Sequence, residues 1–257
     1  MTLPRISIVT VNFNHRPHLE QCLQSVLKQD YPHLEYIVID GGSTDGSVDL
    51  IKKYADRLAY WVSEPDQGQT DALIKGFRRA RGDIFCWINA DDLLEPGALR
   101  DVADYFARHP ERQVVTGDAT LIREDGSFWR VQRQIRFMAF LWFNDHNYIA
   151  QSSTFWRREL YAQVGGLDPF FQVNMDGDLF IRFAQVTRLY HVRRLWSRFR
   201  VYPQQKTSRL VERLAVENEV IRRRHLGQEW PGSQRLKRLV ARPLRWMLKL
   251  ISGCYGP

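Results

Sequence analysis

The first hundred residues repeatedly exchange one hydrophobic period for another, and this exchange constrains the fold more than any other feature. Four short apolar runs have strand character: Arg5–Val11, Tyr36–Ile39, Leu58–Val62 and Ile84–Ile88. Between them, apolar residues recur at helical spacing: Leu19, Cys22, Leu23, Val26 and Leu27, then Val48, Ile51 and Ala55, then the segment Ala72–Ala80. Pro96 opens a further helix that runs to about His109. Strands separated by helices of this length join through right-handed crossovers into a mainly parallel sheet, so the expected class is α/β.

Open sheets of this kind hold ligands beyond the carboxyl ends of their strands. Polar residues collect at each such end: Asn12 and Asn14, Asp40 to Asp45, Glu64 to Gly68, and Asn89 to Asp92. Clusters at four successive strand ends make one candidate site. Beyond Val114 the alternation fades. Glu124-Asp125-Gly126 marks a hairpin turn between Ala119–Arg123 and Ser127–Val131. Helices are expected over Asp178–Val186 and Ser208–Arg224, and a basic tail follows Pro231-Gly232. Eight Trp and fourteen Phe supply area for a substantial core. The three cysteines, Cys22, Cys86 and Cys254, are far apart and odd in number, which favours a reducing compartment over a disulfide framework. No secretory leader is expected, because the N-terminus runs straight into a strand pattern, and no apolar run, Phe137–Phe143 included, is long enough to span a bilayer.

Asp91-Asp92 follows the buried run Ile84–Ile88. Adjacent carboxylates repel unless a cation sits with them, and a divalent ion that keeps waters and shares substrate phosphates meets that need. The bland alternative is a solvated loop capping the helix after Pro96. In Asp40-Gly41-Gly42-Ser43-Thr44-Asp45-Gly46 the glycines let backbone approach a ligand, and the carboxylates can accept bonds from a base or ribose. Ser43 to Ser47 could equally cap the next helix. Neither G-x-G-x-x-G nor G-x-x-x-x-G-K-[ST] occurs, which counts against a dinucleotide cofactor or a P-loop.

Taken together, Ile8–Asn14, Tyr36–Ser47, Ser63–Phe77, Ala80–Asp92, Gln151–Asp168 and Asn174–Ala184 resemble the family 2 glycosyltransferases of the bacterial cell-surface polysaccharide type. The match spans about residues 5 to 205. It implies the GT-A fold, a Rossmann-like, mainly parallel sheet flanked by helices, here with a C-terminal helical extension. Residues 1–115 would form the nucleotide-sugar-binding half, 116–205 the acceptor-binding half of the same domain, and 206–257 the C-terminal helices. The resemblance places Thr10, Asn12 and Asp40 at the nucleobase and Asp66 in the same pocket. Asn14, Gly42, Ser43 and Asn89, from the same strand-end clusters, complete the expected nucleotide-sugar set. Asp91 matches a carboxylate that contacts ribose or metal, and Asp92 one that binds the divalent ion, Mn2+ or Mg2+. Met175-Asp176-Gly177-Asp178 matches the acidic motif that supplies the base, assigned to Asp176 with Asp178 as the alternative; either could instead cap a helix.

The implied reaction is an inverting transfer from a nucleotide-diphosphate sugar, UDP-sugar favoured, to a glycan acceptor, lipid-linked, in cell-surface polysaccharide synthesis. One departure stands out. Where many relatives carry Arg-x-His-Pro, this chain reads Arg200-Val201-Tyr202-Pro203, and a phenol is a poor ligand for Mn2+ or Mg2+. His191 could substitute, although a His in an apolar strand is more often structural, and Arg200 or Lys206 could offset phosphate charge. A nucleotidyltransferase would open with a Gly-rich, Lys/Arg-containing loop that is missing here. A binding protein without catalysis would have no need of Asp91, Asp92 and Asp176. Processive synthesis is not expected, since Arg242 stands where Q-x-x-R-W would have Gln.

The net charge of +8 is concentrated: six Lys/Arg and no Asp/Glu follow Glu229. In that tail Leu236, Leu239, Val240, Pro243, Leu244, Met247, Leu248 and Ile251 share one helical face, while Arg235, Lys237, Arg238, Arg242, Arg245 and Lys249 fall mostly elsewhere. The expectation is a helix lying on an anionic membrane at the cytoplasmic face; a basic helix packed on the body is the alternative. Nucleic acid is not an expected partner, and the oligomeric state is left open.

Overall fold

The structure, a computed structural model, describes residues 3–226 and 231–254, with residues 231–235 as backbone only. The side chain of Arg235 therefore lies outside the described residues. The strands are β1 (Ile6–Asn12), β2 (Leu34–Asp40), β3 (Tyr60–Ser63), β4 (Ile84–Asn89), β5 (Leu93–Leu94), β6 (Val114–Ile122), β7 (Phe128–Gln132), β8 (Thr154–Arg157) and β9 (Tyr190–Arg200). The helices are α1 (Arg16–Leu27), α2 (Ser47–Lys53), α3 (Gln69–Arg79), α4 (Ala98–Arg108), α5 (Ala139–Asn144), α6 (Arg158–Gln163), α7 (Met175–Val186), α8 (Lys206–Arg209), α9 (Val211–Leu226) and α10 (Pro231–Ile251).

One sheet runs through the molecule in the order β3-β2-β1-β4-β8-β6-β9-β5, with β7 paired to β6. Strands β3, β2, β1 and β4 are parallel, as the alternation predicts. β8, which the sequence reading did not identify, lies antiparallel between β4 and β6. It is only four residues long, too short for a period to show.

Strands β1 and β2 are buried on both faces, which accounts for their near-continuous apolar character. Their residues alternate between two cores. Ile6, Ile8 and Val38 join Leu19, Leu23, Val26, Ile51, Leu99 and Phe106 on one side. Val9, Val11, Ile37 and Ile39 join Leu73, Phe77, Trp87, Trp156, Leu179 and Phe183 on the other. Two filled layers hold the sheet rigidly, so the strand ends form a stiff rim. The register levels that rim: Asn12 pairs with Asp40, Asp40 with Ser63, and Val11 with Asn89.

The tail forms α10. One face packs on the body through Ala241, Leu244 and Leu248, against α5 and the second core. Arg245 joins Asp145 in an ion pair. The apolar face expected from the sequence is therefore split. Leu244 and Leu248 turn inward, whereas Leu236, Leu239, Val240, Met247, Leu250 and Ile251 remain exposed.

Candidate active site

A cavity of about 1130 Å³ opens at the rim. The strand ends contribute Asn12, Gly41, Gly42, Asp66, Asn89 and Asp91 to its lining. The segment after α5 and the start of α7 contribute Asn147, Tyr148 and Asp176; Tyr202 and Lys206 come from the chain after β9. Single small-molecule sites run to about 300–1,000 Å³, so this space lies at the upper end of that range.

The loop after β2 is built around Asp40, which is fully buried. Its Oδ1 accepts bonds from Asn12 Nδ2 (2.6 Å) and Ser43 Oγ (2.6 Å). Its Oδ2 accepts from the backbone N–H groups of Gly42 and Ser43 and from Ser63 Oγ. Burial raises this carboxyl, but the bonds from Ser43, Ser63 and Asn12 outweigh it and leave Asp40 below its ordinary range. The side chain thus spends its acceptors on shaping the loop, while Gly41 and Gly42 face the cavity. Gly42 has φ +82°, a conformation that favours glycine, and a Cβ on Gly41 would come within 2.5 Å of Asp66 Oδ2. Ser43 binds Asp40 rather than capping α2; the acceptor at that helix start is Asp45 Oδ1, which takes the Ser47 N–H. Asn14, exposed and at φ +52°, holds the loop by accepting the Thr44 N–H.

Thr10 is not brought to the cavity. It lies further back along β1, fully buried, where its hydroxyl accepts a bond from Tyr36 and touches Cys22. Asp66 does face the cavity, and burial raises its carboxyl.

The turn after β4 separates the two adjacent carboxylates. Asp91 lines the cavity; Asp92 is 1% exposed and does not. Asp92 Oδ1 accepts the Arg200 N–H at 3.0 Å, extending the antiparallel β5–β9 ladder by one bond. Burial, then the neighbouring Asp91 charge, raise its carboxyl well above the ordinary range. The expected joint coordination of an ion by Asp91 and Asp92 thus meets a geometry in which only Asp91 faces the cavity.

Tyr202, in place of the family histidine, donates its phenol hydrogen to Asp91 Oδ2 at 2.8 Å. Burial and the Asp91 charge hold the phenol in its protonated form. Its ring packs beside His18, with centroids 5.5 Å apart. Arg200 does not reach the cavity. Its guanidinium is buried and donates to the carbonyls of Asp91, Arg123 and Glu124 and to Gln21. His191 is likewise used elsewhere, on Asp118 at 2.8 Å. Lys206 does line the cavity. It donates to Gln69, which in turn donates to Asn89 Oδ1, and burial lowers its ammonium to about 8.

Asp176 and Asp178 fall on different sides of α7. Asp176 lines the cavity and accepts a bond from Asn147 Nδ2 at 3.0 Å. Burial pushes its carboxyl up to about 6. Asp178 is 1% exposed and faces away, bound twice by Arg182 at 2.9 and 2.6 Å. The approach to Asp176 is fixed by Glu217 of α9, a fully buried carboxylate that accepts the N–H groups of Gln172, Val173 and Asn174. Neither Asn147 nor Glu217 carries a local sequence signal, and the sequence reading missed both.

Residues 7–165 match the sequence profile described as Glycosyl transferase family 2. The chain is 30% identical over 187 residues to the uncharacterized glycosyltransferase MT1564 of Mycobacterium tuberculosis, covering 71% of this chain and 70% of that one. It is also 30% identical over 200 residues to a PGL/p-HBAD biosynthesis glycosyltransferase of Mycobacterium bovis, covering 75% and 76%. Among solved structures, Staphylococcus aureus TarS 1-349 in complex with UDP matches with a TM-score of 0.63 at 18% identity, over 77% of this chain and 61% of that chain. The mannosyltransferase PcManGT from Pyrobaculum calidifontis, in complex with GDP-Man and Mn2+, matches with a TM-score of 0.66 at 19% identity, over 100% of this chain and 77% of that one. With a family profile covering more than half its length and a sheet of the same architecture, this chain is a glycosyltransferase of family 2, built on the GT-A fold.

Proposed function

We propose that the protein transfers a sugar with inversion from a nucleotide-diphosphate donor to the hydroxyl of a glycan acceptor. The observation that carries this is the pairing, in one cavity, of Asp91 at a strand-end loop with Asp176 held at about 6. A carboxyl titrating near neutrality is matched to taking a proton from a weakly acidic hydroxyl. On this reading Asp176 accepts the acceptor's proton as its oxygen attacks the anomeric carbon. The new C–O bond forms opposite the breaking bond to phosphate, whose electron pair leaves with the nucleoside diphosphate. No covalent sugar–enzyme intermediate is required.

The Gly41–Gly42 backbone, with Asn12, Asp66 and Asn89 around it, forms the nucleotide end of this proposal. Asp40 and Ser43 support that loop from beneath. Solved neighbours in complex with UDP, UDP-GlcNAc and GDP-Man support a nucleotide-sugar donor, and UDP-sugar is the favoured class. The donor chemistry of the site suits a hard divalent cation. Asp91 Oδ2 is held by Tyr202, and among the described residues Oδ1 carries no hydrogen bond. One carboxylate plus water and substrate phosphates is how Mg2+ is commonly bound, and no cluster of three His, Cys, Asp or Glu competes among the described residues. When bound at Asp91, Mn2+ or Mg2+ would offset charge on the leaving diphosphate. Lys206 would add a positive charge to the same cavity.

An acceptor on a lipid carrier, in synthesis of a cell-surface glycan, agrees with the aromatic lining from Trp142, Phe143 and Tyr148 and with the relative named for PGL/p-HBAD biosynthesis. The test is a panel of nucleotide sugars with Mn2+, scored for donor hydrolysis and for the anomeric configuration of the product by NMR. Turnover of one donor with inverted product is expected. Retention of configuration, or no turnover of any nucleotide sugar, would overturn the proposal.

A further inference from the structure

We infer that the outer face of α10, together with the tip of the β6–β7 hairpin, is a docking surface for an anionic lipid bilayer, and that it brings the wall of the catalytic cavity against that bilayer. The argument starts from the three faces of the helix. At 3.6 residues per turn, Leu236, Leu239, Val240, Met247, Leu250 and Ile251 lie within an arc of about 120°. All six are at least half exposed, and Leu239 and Ile251 reach 72% and 75%. A second arc, through Ala241, Leu244 and Leu248, is held against the body. A third carries Arg238, Arg242 and Lys249; Arg242, 77% exposed and 3.7 Å from Asp145, has a stem that allows its charge to reach headgroups beside a buried apolar stripe.

Continuous exposure of large apolar side chains is costly in water unless something covers them. Charge complementarity names the cover. Residues 231–254 contain no Asp or Glu, so every charge that α10 itself brings to the edge of the stripe is positive. A bilayer rich in anionic lipid satisfies both the apolar and the basic faces, whereas a second copy of the same helix would bring like charges together. The helix must lie in the plane of such a surface, because no helix of the described residues is long and apolar enough to cross a membrane.

The hairpin of β6 and β7 offers a second exposed apolar group. Phe128 and Trp129 of β7 are 61% and 43% exposed, and the Arg130 guanidinium lies 4.8 Å from the Trp129 ring centroid. The chain after α10 is tied to the far end of the same strand, where Arg133 donates to the Gly253 carbonyl at 3.1 Å. Two anchors on one bilayer would fix orientation as well as attachment. On its inner edge α10 also contributes Arg238 to the lining of the cavity that holds Asp91 and Asp176. One helix is therefore both the membrane-facing surface and part of the cavity wall. A lipid-carried acceptor would reach the cavity along the bilayer surface without being extracted into water.

The test uses the full chain with vesicles of phosphatidylglycerol, of phosphatidylcholine, and without vesicles. Sedimentation with phosphatidylglycerol vesicles is expected, with binding weaker by tenfold or more on phosphatidylcholine or in high salt. Leu239→Glu combined with Ile251→Glu should reduce vesicle binding by tenfold or more and leave the melting temperature unchanged, since both side chains point away from the body. Slow hydrolysis of the donor in solution should be the same in wild type and variant, which separates this inference from the reading of the active site. Equal vesicle binding by wild type and variant would overturn the inference. So would a dimer in sedimentation velocity that dissociates in the variant, because the stripe would then be an interface between copies.

Discussion

Asn147→Ala tests the assignment of Asp176 most directly, because it changes the base without touching it. Asn147 Nδ2 donates to Asp176 Oδ2 at 3.0 Å and stabilises the ionised form. Burial is the larger influence and already holds the carboxyl at about 6. A hydrogen bond to a charged group contributes about 1.5–3 kcal/mol, and one pKa unit corresponds to about 1.4 kcal/mol, so complete loss would raise the base by roughly 1–2 units. Water in the open cavity replaces part of the bond, which favours the lower end, about one unit. The sign is fixed: a donor to the carboxylate is removed, the charged form is disfavoured, and the acidic limb moves up in pH. The assay is kcat/KM against pH, with donor varied and acceptor saturating. Wild type should rise through about pH 6 and reach a plateau. In the variant the limb should centre near pH 7, giving roughly a threefold loss at pH 6.5 that disappears by pH 8.5. A loss of the same size at every pH would mean that Asn147 only supports the fold. A limb that stays in place or moves down would refute the role of Asp176 as base.

Asp178→Asn should leave the plateau kcat/KM within about threefold but destabilise the fold by about 3 kcal/mol in denaturant unfolding, because it strands Arg182 in a largely buried pair; loss of catalysis without loss of stability would return Asp178 to the site. Asp91→Asn should abolish detectable Mn2+ binding by electron paramagnetic resonance titration, whereas Asp92→Asn should change it by less than about threefold, since Asp92 is buried behind the cavity wall on the Arg200 N–H; the reverse ranking would show that the turn reorganises around the ion. Tyr202→Phe removes a hydrogen bond that competes with a cation for the Asp91 charge. Because a charge-assisted bond contributes about 1.5–3 kcal/mol and is partly replaced by water, Mn2+ should bind up to about tenfold more tightly; weaker binding would mean that the phenol instead orients the carboxylate for the ion.

The parallel half of the molecule was legible because its signals are local. A run such as Ile84–Ile88 between helical repeats defines a buried parallel strand whatever lies elsewhere in the chain. Once four such strands are parallel, their carboxyl ends must lie on one edge, so Asn12, Asp40, Asp66 and Asn89 to Asp92 come together without any knowledge of loop structure. The helix expected over Asp178–Val186, which the structure begins at Met175 so that it also holds Asp176, and the basic, amphipathic tail were equally readable from spacing.

What the tertiary structure decided is which side of each polar pair meets the cavity. Thr10 and Asn12 share one face of β1, yet only Asn12, at the strand's end, reaches the rim; Thr10 lies under α1. Asp91 and Asp92 occupy a turn, where no hydrophobic period separates exposed from buried. Their fates depend on the end of β9 and the chain after it, through Tyr202 on Asp91 and the Arg200 backbone on Asp92, partners 111 and 108 residues away. The same holds for Asp176 and Asp178, sorted by Asn147 and Arg182, and for the tail, whose single apolar face is divided between α5 and solvent. Periodicity records how far a residue is turned about its own helix or strand. It does not record what the chain brings to meet it, and the charge, burial and hydrogen bonding of a carboxylate are set by that partner.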